Sequence, residues 1–196
     1  MSVVALVLAA GRSVRFGADK RRALLADGRS LLVHSVERAC AVFDDVRVVL
    51  REGERGEDLG LPGKCRIISS PDSGLGMGHS LAAGAASLGD SDAIAVAVLL
   101  GDMPWLAPET LAKLRAVAQA SSIVLPLHDG QQGHPVLFGR DFWSVLTGLT
   151  GDEGARSVVR AHPASCIRLE MQDPGILQDV DRRPSPITPQ QSIIRP

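Results

Sequence analysis

The chain has 196 residues, 45% of them apolar and 22% charged, and a formal net charge of −1. This is the composition of a globular protein, and a single domain of this length buries roughly 70% of its unfolded surface, which excludes disorder over most of the chain. A near-neutral charge excludes a general nucleic-acid or membrane-surface binder, and 3% aromatic residues with no Tyr leave little for a base-stacking platform.

Cys40, Cys65 and Cys166 are odd in number and form no C-x-x-C pair, which fits a reducing cytoplasm better than a disulfide scaffold. The apolar start "VVALVLAA" has no preceding positive charge and falls well short of the about 20 apolar residues that span a bilayer. A cytoplasmic protein with no membrane and no nucleic-acid partner is expected.

In chain order, "VVALVL" (3–8) reads as the first strand. "SLLVHSVERACAV" (30–42) has apolar residues at helical spacing, with Ser30 placed to cap it. Strands follow at "VRVVL" (46–50) and "CRIIS" (65–69), then a glycine-rich passage, 73–89, that opens a small-residue helix. "AIAVAVLL" (93–100) is the most apolar run and reads as a central strand buried on both faces. Residues 108–120 form a helix with Pro108 in its first turn. Strands at 122–127, 134–138, 166–170 and 176–181 are expected, with two helices within 139–161. Alternating strands and helices predict an α/β sandwich around a largely parallel sheet. The domain is expected to span 1–183, with a loose proline-rich tail at 184–196.

Ligands of such a sheet bind at the carboxyl ends of its strands. After the first strand, "LAAGRSVRFGADK" (8–20) gathers Arg12, Arg15 and Lys20 around glycines. It matches neither a Walker loop nor G-x-G-x-x-G. Backbone amides in a glycine turn, with guanidinium and ammonium groups, still suit a polyphosphate; a solvated basic loop is the plainer alternative. In "LLGDMPWL" (99–106), Asp102 follows the central strand. It either satisfies a turn before Pro104 or holds Mg²⁺, a hard ion that prefers oxygen ligands and phosphates; the cationic loop nearby favours the metal.

Together "LAAGRSVRFGADK", "GMGHSLAAG", "LLGDMPWL", "GHPVLFGRDF" and "GDEGAR" resemble, in order and spacing over about residues 3–181, the MobA-like nucleotidyltransferases, most of all their molybdopterin cytidylyltransferase branch. The resemblance implies a Rossmann-like three-layer domain that joins an NTP to a phosphorylated acceptor and releases pyrophosphate. By the same resemblance, Leu8, Ala9, Ala10, Gly11 and Arg12 form the nucleotide loop, and Arg15 and Lys20 neutralise the triphosphate. Asp102 is the implied Mg²⁺ ligand, and Asp181, two residues after Asp179 on an extended strand, is an implied second, with a plain surface strand as the alternative. The "TPxD" segment that usually follows is replaced here by "RRPSP".

Gly76, Gly78 and Ser80 are implied nucleotide contacts, with close helix–sheet packing as the alternative for the glycines. Gly133, His134 and Pro135, with Arg156, are implied to line the pterin acceptor pocket; a plain turn into a strand is the alternative for the first three. Asp152 could cap a helix, and Trp105 and Trp143 read as packing residues. "LAAG" accompanies CTP users in that family. The expected reaction is therefore Mg²⁺-dependent transfer of CMP from CTP to molybdopterin, with transient contact to a molybdenum hydroxylase. The alternatives are a related transferase using GTP or a sugar-phosphate acceptor, a non-catalytic nucleotide or cofactor delivery module, and a nicotinamide oxidoreductase. The last is disfavoured by the missing glycine fingerprint.

Overall fold

The computed structural model describes residues 2–12 and 17–180. Arg15, Asp181 and the expected tail at 184–196 lie outside the described residues. The first strand, β1 (Val3–Leu8), sits inside an eight-stranded sheet with β2 (Asp45–Arg51), β3 (Arg66–Ser70), β4 (Ala95–Leu100), β5 (Ile123–His128), β6 (Gln131–Gln132), β7 (Val136–Gly139) and β8 (Cys166–Glu170). The strand order is β3-β2-β1-β4-β7-β5-β6, with β8 also pairing β5. β1 pairs in parallel with β2 and β4, β2 with β3 and β5 with β8, while β7 runs antiparallel between β4 and β5.

Period-two alternation divides the apolar residues of the central strands between two helical layers. Val3, Ala5 and Val7 of β1 and Ala95, Ala97 and Leu99 of β4 pack with Leu32 and Val36 of α1 (Leu31–Cys40) and with Leu111 and Leu114 of α3 (Pro108–Ala116). Val4, Leu6, Val96 and Val98 face the other way. They pack with Leu81 of α2 (Met77–Ala86), Trp143 and Leu146 of α4 (Trp143–Thr147) and Val158 of α5 (Arg156–Ala161). The expected three-layer sandwich with a mostly parallel sheet is thus present.

Local details differ from expectation. Ser30 caps α1, its hydroxyl accepting from the Val33 amide at 3.3 Å. α5 starts at Arg156 behind Ala155, with no side-chain cap, so Asp152 does not cap it. The strand expected at 176–181 is absent from its described part. Pro174–Leu177 is a 3₁₀ turn, and Ile176 and Val180 are buried in different places, the first in the core and the second against Leu25 and Leu31. A segment whose apolar residues go to separate sites has no ladder partner to make it a strand. Cys40 and Cys65 are free thiols with sulfurs 3.5 Å apart; burial pushes the Cys65 thiol up to about 12. Among the described residues no helix is long and apolar enough to cross a membrane.

Candidate functional site

β1 lies between β2 and β4, so the connections leaving β1 diverge and open a crevice at its carboxyl end. Two loops meet there, 9–12 after β1 and 101–104 after β4. They approach closely: the Gly101 amide donates to the Leu8 carbonyl at 3.0 Å, and a Cβ on Gly101 would lie 3.1 Å from that of Ala9. Glycine here brings Asp102 directly beside the first loop.

Two arginines fix the loop after β1. Arg21 donates to the Ala9 carbonyl at 2.9 Å, and Arg51 donates to the carbonyls of Ala10, at 3.3 Å, and Gly11. A trans peptide points its N–H opposite its C=O. With the carbonyls of 9–11 turned to guanidinium groups, the following amides face away from them, as an anion-binding loop requires. Arg12 reaches across to the segment before α2, where its guanidinium lies over Gly74, 2.7 Å from where a Cβ would stand.

Arg21 was not singled out by the sequence, yet it organises the loop. It is 5% exposed. Besides Ala9, it donates to Asp19 through Nε and Nη2, both at 2.7 Å, and to Glu54 through Nη1 and Nη2 at 2.7 and 2.6 Å. Five N–H groups meet five acceptors. Hydrogen bonds from Arg21 hold the Asp19 and Glu54 carboxyls below their ordinary range. Burial alone would lower the guanidinium, but the bonds to Glu54 and Asp19 raise it. The charge-dense "ADKRR" was the available signal; which of its cations turns inward was not.

The same 3₁₀ turn, Lys20–Arg22, carries Lys20 outward. Its ammonium donates to Asp102 Oδ2 and, at 3.3 Å, to the Val180 carbonyl. The Val180 amide in turn donates to the Asp102 carbonyl at 3.2 Å. The loop after β4 is held from α1 by His34, whose Nδ1 lies 2.9 Å from the Pro104 carbonyl. Burial lowers the His34 pKa, so the neutral ring donates to that carbonyl.

His134 approaches from the third side. Its amide donates to the Ile176 carbonyl at 2.9 Å, and the His134–Pro135 peptide is cis. Burial pushes the imidazole pKa down; the Asp102 charge opposes this and the Arg156 charge adds to it. Its Nδ1 is buried without a hydrogen-bond partner among the described residues. Gly133 is pressed against the 3₁₀ turn, where a Cβ would stand 2.3 Å from the Ile176 carbonyl oxygen.

Loop 9–12, Lys20, Asp102, His134 and the charge of Arg156 are thus brought to one end of the sheet. Gly76 and Gly78 answer to packing. A Cβ would lie 2.3 Å from the Gly151 oxygen at Gly76, and 2.4 Å from the Thr150 oxygen at Gly78. Close approach accounts for glycine at both positions. Ser80 is buried in α2. Trp143 packs in the core with Arg140 stacked on its ring, and Trp105 packs against the Leu25–Leu31–Val180 group.

A divalent metal fits the donors at Asp102. A carboxylate and the Val180 carbonyl are hard oxygens, and they already accept a cation, the Lys20 ammonium. Among the described residues no three His, Cys, Asp or Glu side chains cluster to complete a metal site.

Residues 5–166 match the family model of the MobA-like NTP transferase domain. The purine catabolism protein PucB of Bacillus subtilis (strain 168) is 31% identical over 189 residues, covering 91% of each chain. The solved homologue of Mycobacterium tuberculosis Rv0371c from Mycobacterium sp. strain JC1 superposes with a TM-score of 0.80 at 30% identity, covering 92% of this chain and 90% of its own. Rv0371c from Mycobacterium tuberculosis H37Rv, in complex with manganese, gives a TM-score of 0.73 at 25% identity, covering 87% and 89%. Fold, site and relatives define an α/β nucleotidyltransferase. The chain belongs to the MobA-like NTP transferase family.

Proposed function

We propose that the protein transfers CMP from CTP to molybdopterin, a phosphorylated pterin, and releases pyrophosphate, acting in the cytoplasm and handing its product to a molybdenum hydroxylase. The observation that carries the reading is the meeting of the 9–12 loop, Lys20 and Asp102 at the end of β1 and β4. Residues 8–11 and Arg12 take the nucleotide, Gly76, Gly78 and Ser80 border it, and Lys20 with Arg15 meets the β- and γ-phosphates. Asp102 and Asp181 would hold Mg²⁺, which when bound supplies charge neutralisation at the phosphates; the manganese complex of Rv0371c supports a divalent ion here.

An acceptor phosphate oxygen attacks the α-phosphorus, and the bond to the bridging oxygen breaks in line as pyrophosphate leaves. Because that phosphate is already ionised near neutral pH, no general base is needed. The chain contributes position and electrostatics, which dominate phosphoryl-type transfers. Gly133, His134, Pro135 and Arg156 line the acceptor side, and burial favours the neutral form of the His134 ring there.

The test is pyrophosphate release by purified protein with Mg²⁺ and molybdopterin, alone and with CTP, GTP, ATP or UTP. Acceptor-dependent release with CTP is the expected outcome. Release favouring GTP would keep the chemistry and overturn the cytidylyl assignment. Nucleotide binding without release in any mixture would point instead to a delivery module.

A further inference from the structure

Lys20 has two jobs that one ammonium cannot do at once. In the proposed reaction it meets the β- and γ-phosphates, yet here it sits on Asp102 Oδ2 and the Val180 carbonyl. Those are the oxygens a divalent ion would use. Lys20 and Asp102 side chains are 21% and 15% exposed, so water screens their pairing only in part.

The turn beneath Lys20 is rigid while its side chain is not. Arg21, the next residue, is locked by five hydrogen bonds to Asp19, Glu54 and Ala9. Lys20 itself is a compact charge on four rotatable carbons. The ammonium can therefore leave Asp102 without moving the turn, given another anion to receive it.

We infer that Lys20 is a built-in stand-in cation: it shields Asp102 from free divalent metal and gives way when the metal arrives with a nucleoside triphosphate, whose oxygens accept the released ammonium. The inference rests on the reading of Asp102 as metal ligand. Its consequence is coupling between the two ligands. Free metal binds weakly, metal and triphosphate strengthen each other, and by linkage the factor is the same in both directions. An idle site thus neither holds a metal without substrate nor leaves a bare carboxylate.

The experiment is Mn²⁺ binding to the nucleotide-free full chain, followed by electron paramagnetic resonance of the free ion, with thermal melts to confirm folding. Lys20→Met is expected to tighten Mn²⁺ binding tenfold or more, equivalent to about 1.4 kcal/mol, with Lys20→Gln as a second variant should the first fold poorly. Asp102→Asn is expected to abolish Mn²⁺ binding at this site in either background. Arg12→Met removes a cation of the loop after β1 that lies over Gly74 and not on Asp102, and is expected to change the affinity less than twofold.

Unchanged Mn²⁺ affinity in both Lys20 variants, with Asp102→Asn still abolishing binding, would overturn the stand-in and leave the metal assignment. Equal tightening by Arg12→Met would reduce the effect to general charge and overturn it too. Binding indifferent to Asp102→Asn would remove the metal assignment and the inference together. In the unmodified protein, the Lys20 ¹⁵Nζ resonance should move on adding Mg²⁺ with a non-hydrolysable CTP analogue and stay in place with Mg²⁺ alone. A shift with Mg²⁺ alone contradicts the coupling.

Discussion

Arg21 shows how one buried side chain can fix the loop after β1, the loop proposed to take the nucleotide. Its buried guanidinium joins the Ala9 carbonyl and two carboxylates, Asp19 and Glu54, that are 27% and 25% exposed. Removing one partner of a fully buried ion pair costs about 3–5 kcal/mol. Because water reaches Asp19 and Glu54 in part, Arg21→Met should lower the urea unfolding free energy by the low end of that range, about 3 kcal/mol. Arg21→Lys should restore little, because an ammonium cannot reproduce the fork. The network also sets an acid limit. The Asp19 and Glu54 carboxyls are held below their ordinary values of 3.8 and 4.5, so their contribution is present above those values. It is lost as pH falls through the lower folded ones. Urea midpoints should therefore fall as pH drops below 4.5, and Arg21→Met should flatten that dependence.

Two further residues separate stability from activity. Asp102→Asn removes the proposed metal ligand and not a packing group; it should lower the transfer rate by about 100-fold or more while the melting temperature stays near that of the parent. At Gly11, a Cβ would meet nothing within 4 Å among the described residues, and φ is ordinary. Gly11→Ala should leave stability within about 0.5 kcal/mol yet raise the KM for nucleotide, because the space it fills is the one the proposed function gives to the phosphate. An unchanged KM would place the nucleotide elsewhere.

At the scale of elements, the first turn of α2 docks directly on the 150–151 backbone. Its Gly78 amide donates to the Gly151 carbonyl at 2.7 Å, and the 150–151 backbone lies where side chains would otherwise stand. Overpacking a close contact typically costs 1–3 kcal/mol. Gly78→Ala should cost about 2 kcal/mol by pushing the 150–152 segment off α2. Gly63→Ala, with nothing within 4 Å among the described residues, is the neutral control. The loss should appear in urea unfolding and as faster hydrogen exchange at the Gly78 amide.

For the molecule as a whole, one sheet ties the two helical layers together. Trp143 reports on the layer of α2, α4 and α5, and Trp105 on the group with Leu25, Leu31 and Val180 near the candidate site. These are the chain's two tryptophans. Trp105→Phe and Trp143→Phe leave one probe each, and their urea transitions should coincide, as an all-or-none unfolding requires. Separate midpoints would show that the site end loosens independently of the sheet.

Much of this was decided by local sequence. β1 and β8 occupy 3–8 and 166–170, the positions read from their apolar runs, and Ser30 caps α1 because a hydroxyl beside free amides needs no distant partner. Burial and alternation are properties of short stretches, so they fixed the layers, and the glycine turn and Asp102 marked the strand ends to inspect. Other features were out of reach. The run 176–181 read as a strand, but Ile176 and Val180 fill two separate gaps made by other elements. Lys20 and Asp102 are 82 positions apart and meet because β4 is laid beside β1. Arg21 and Lys20 are adjacent and alike in charge, and only the placement of Glu54 and Asp102 sends one inward and the other across the crevice. Charge in a sequence tells which groups need partners; strand order alone determines which partners are within reach.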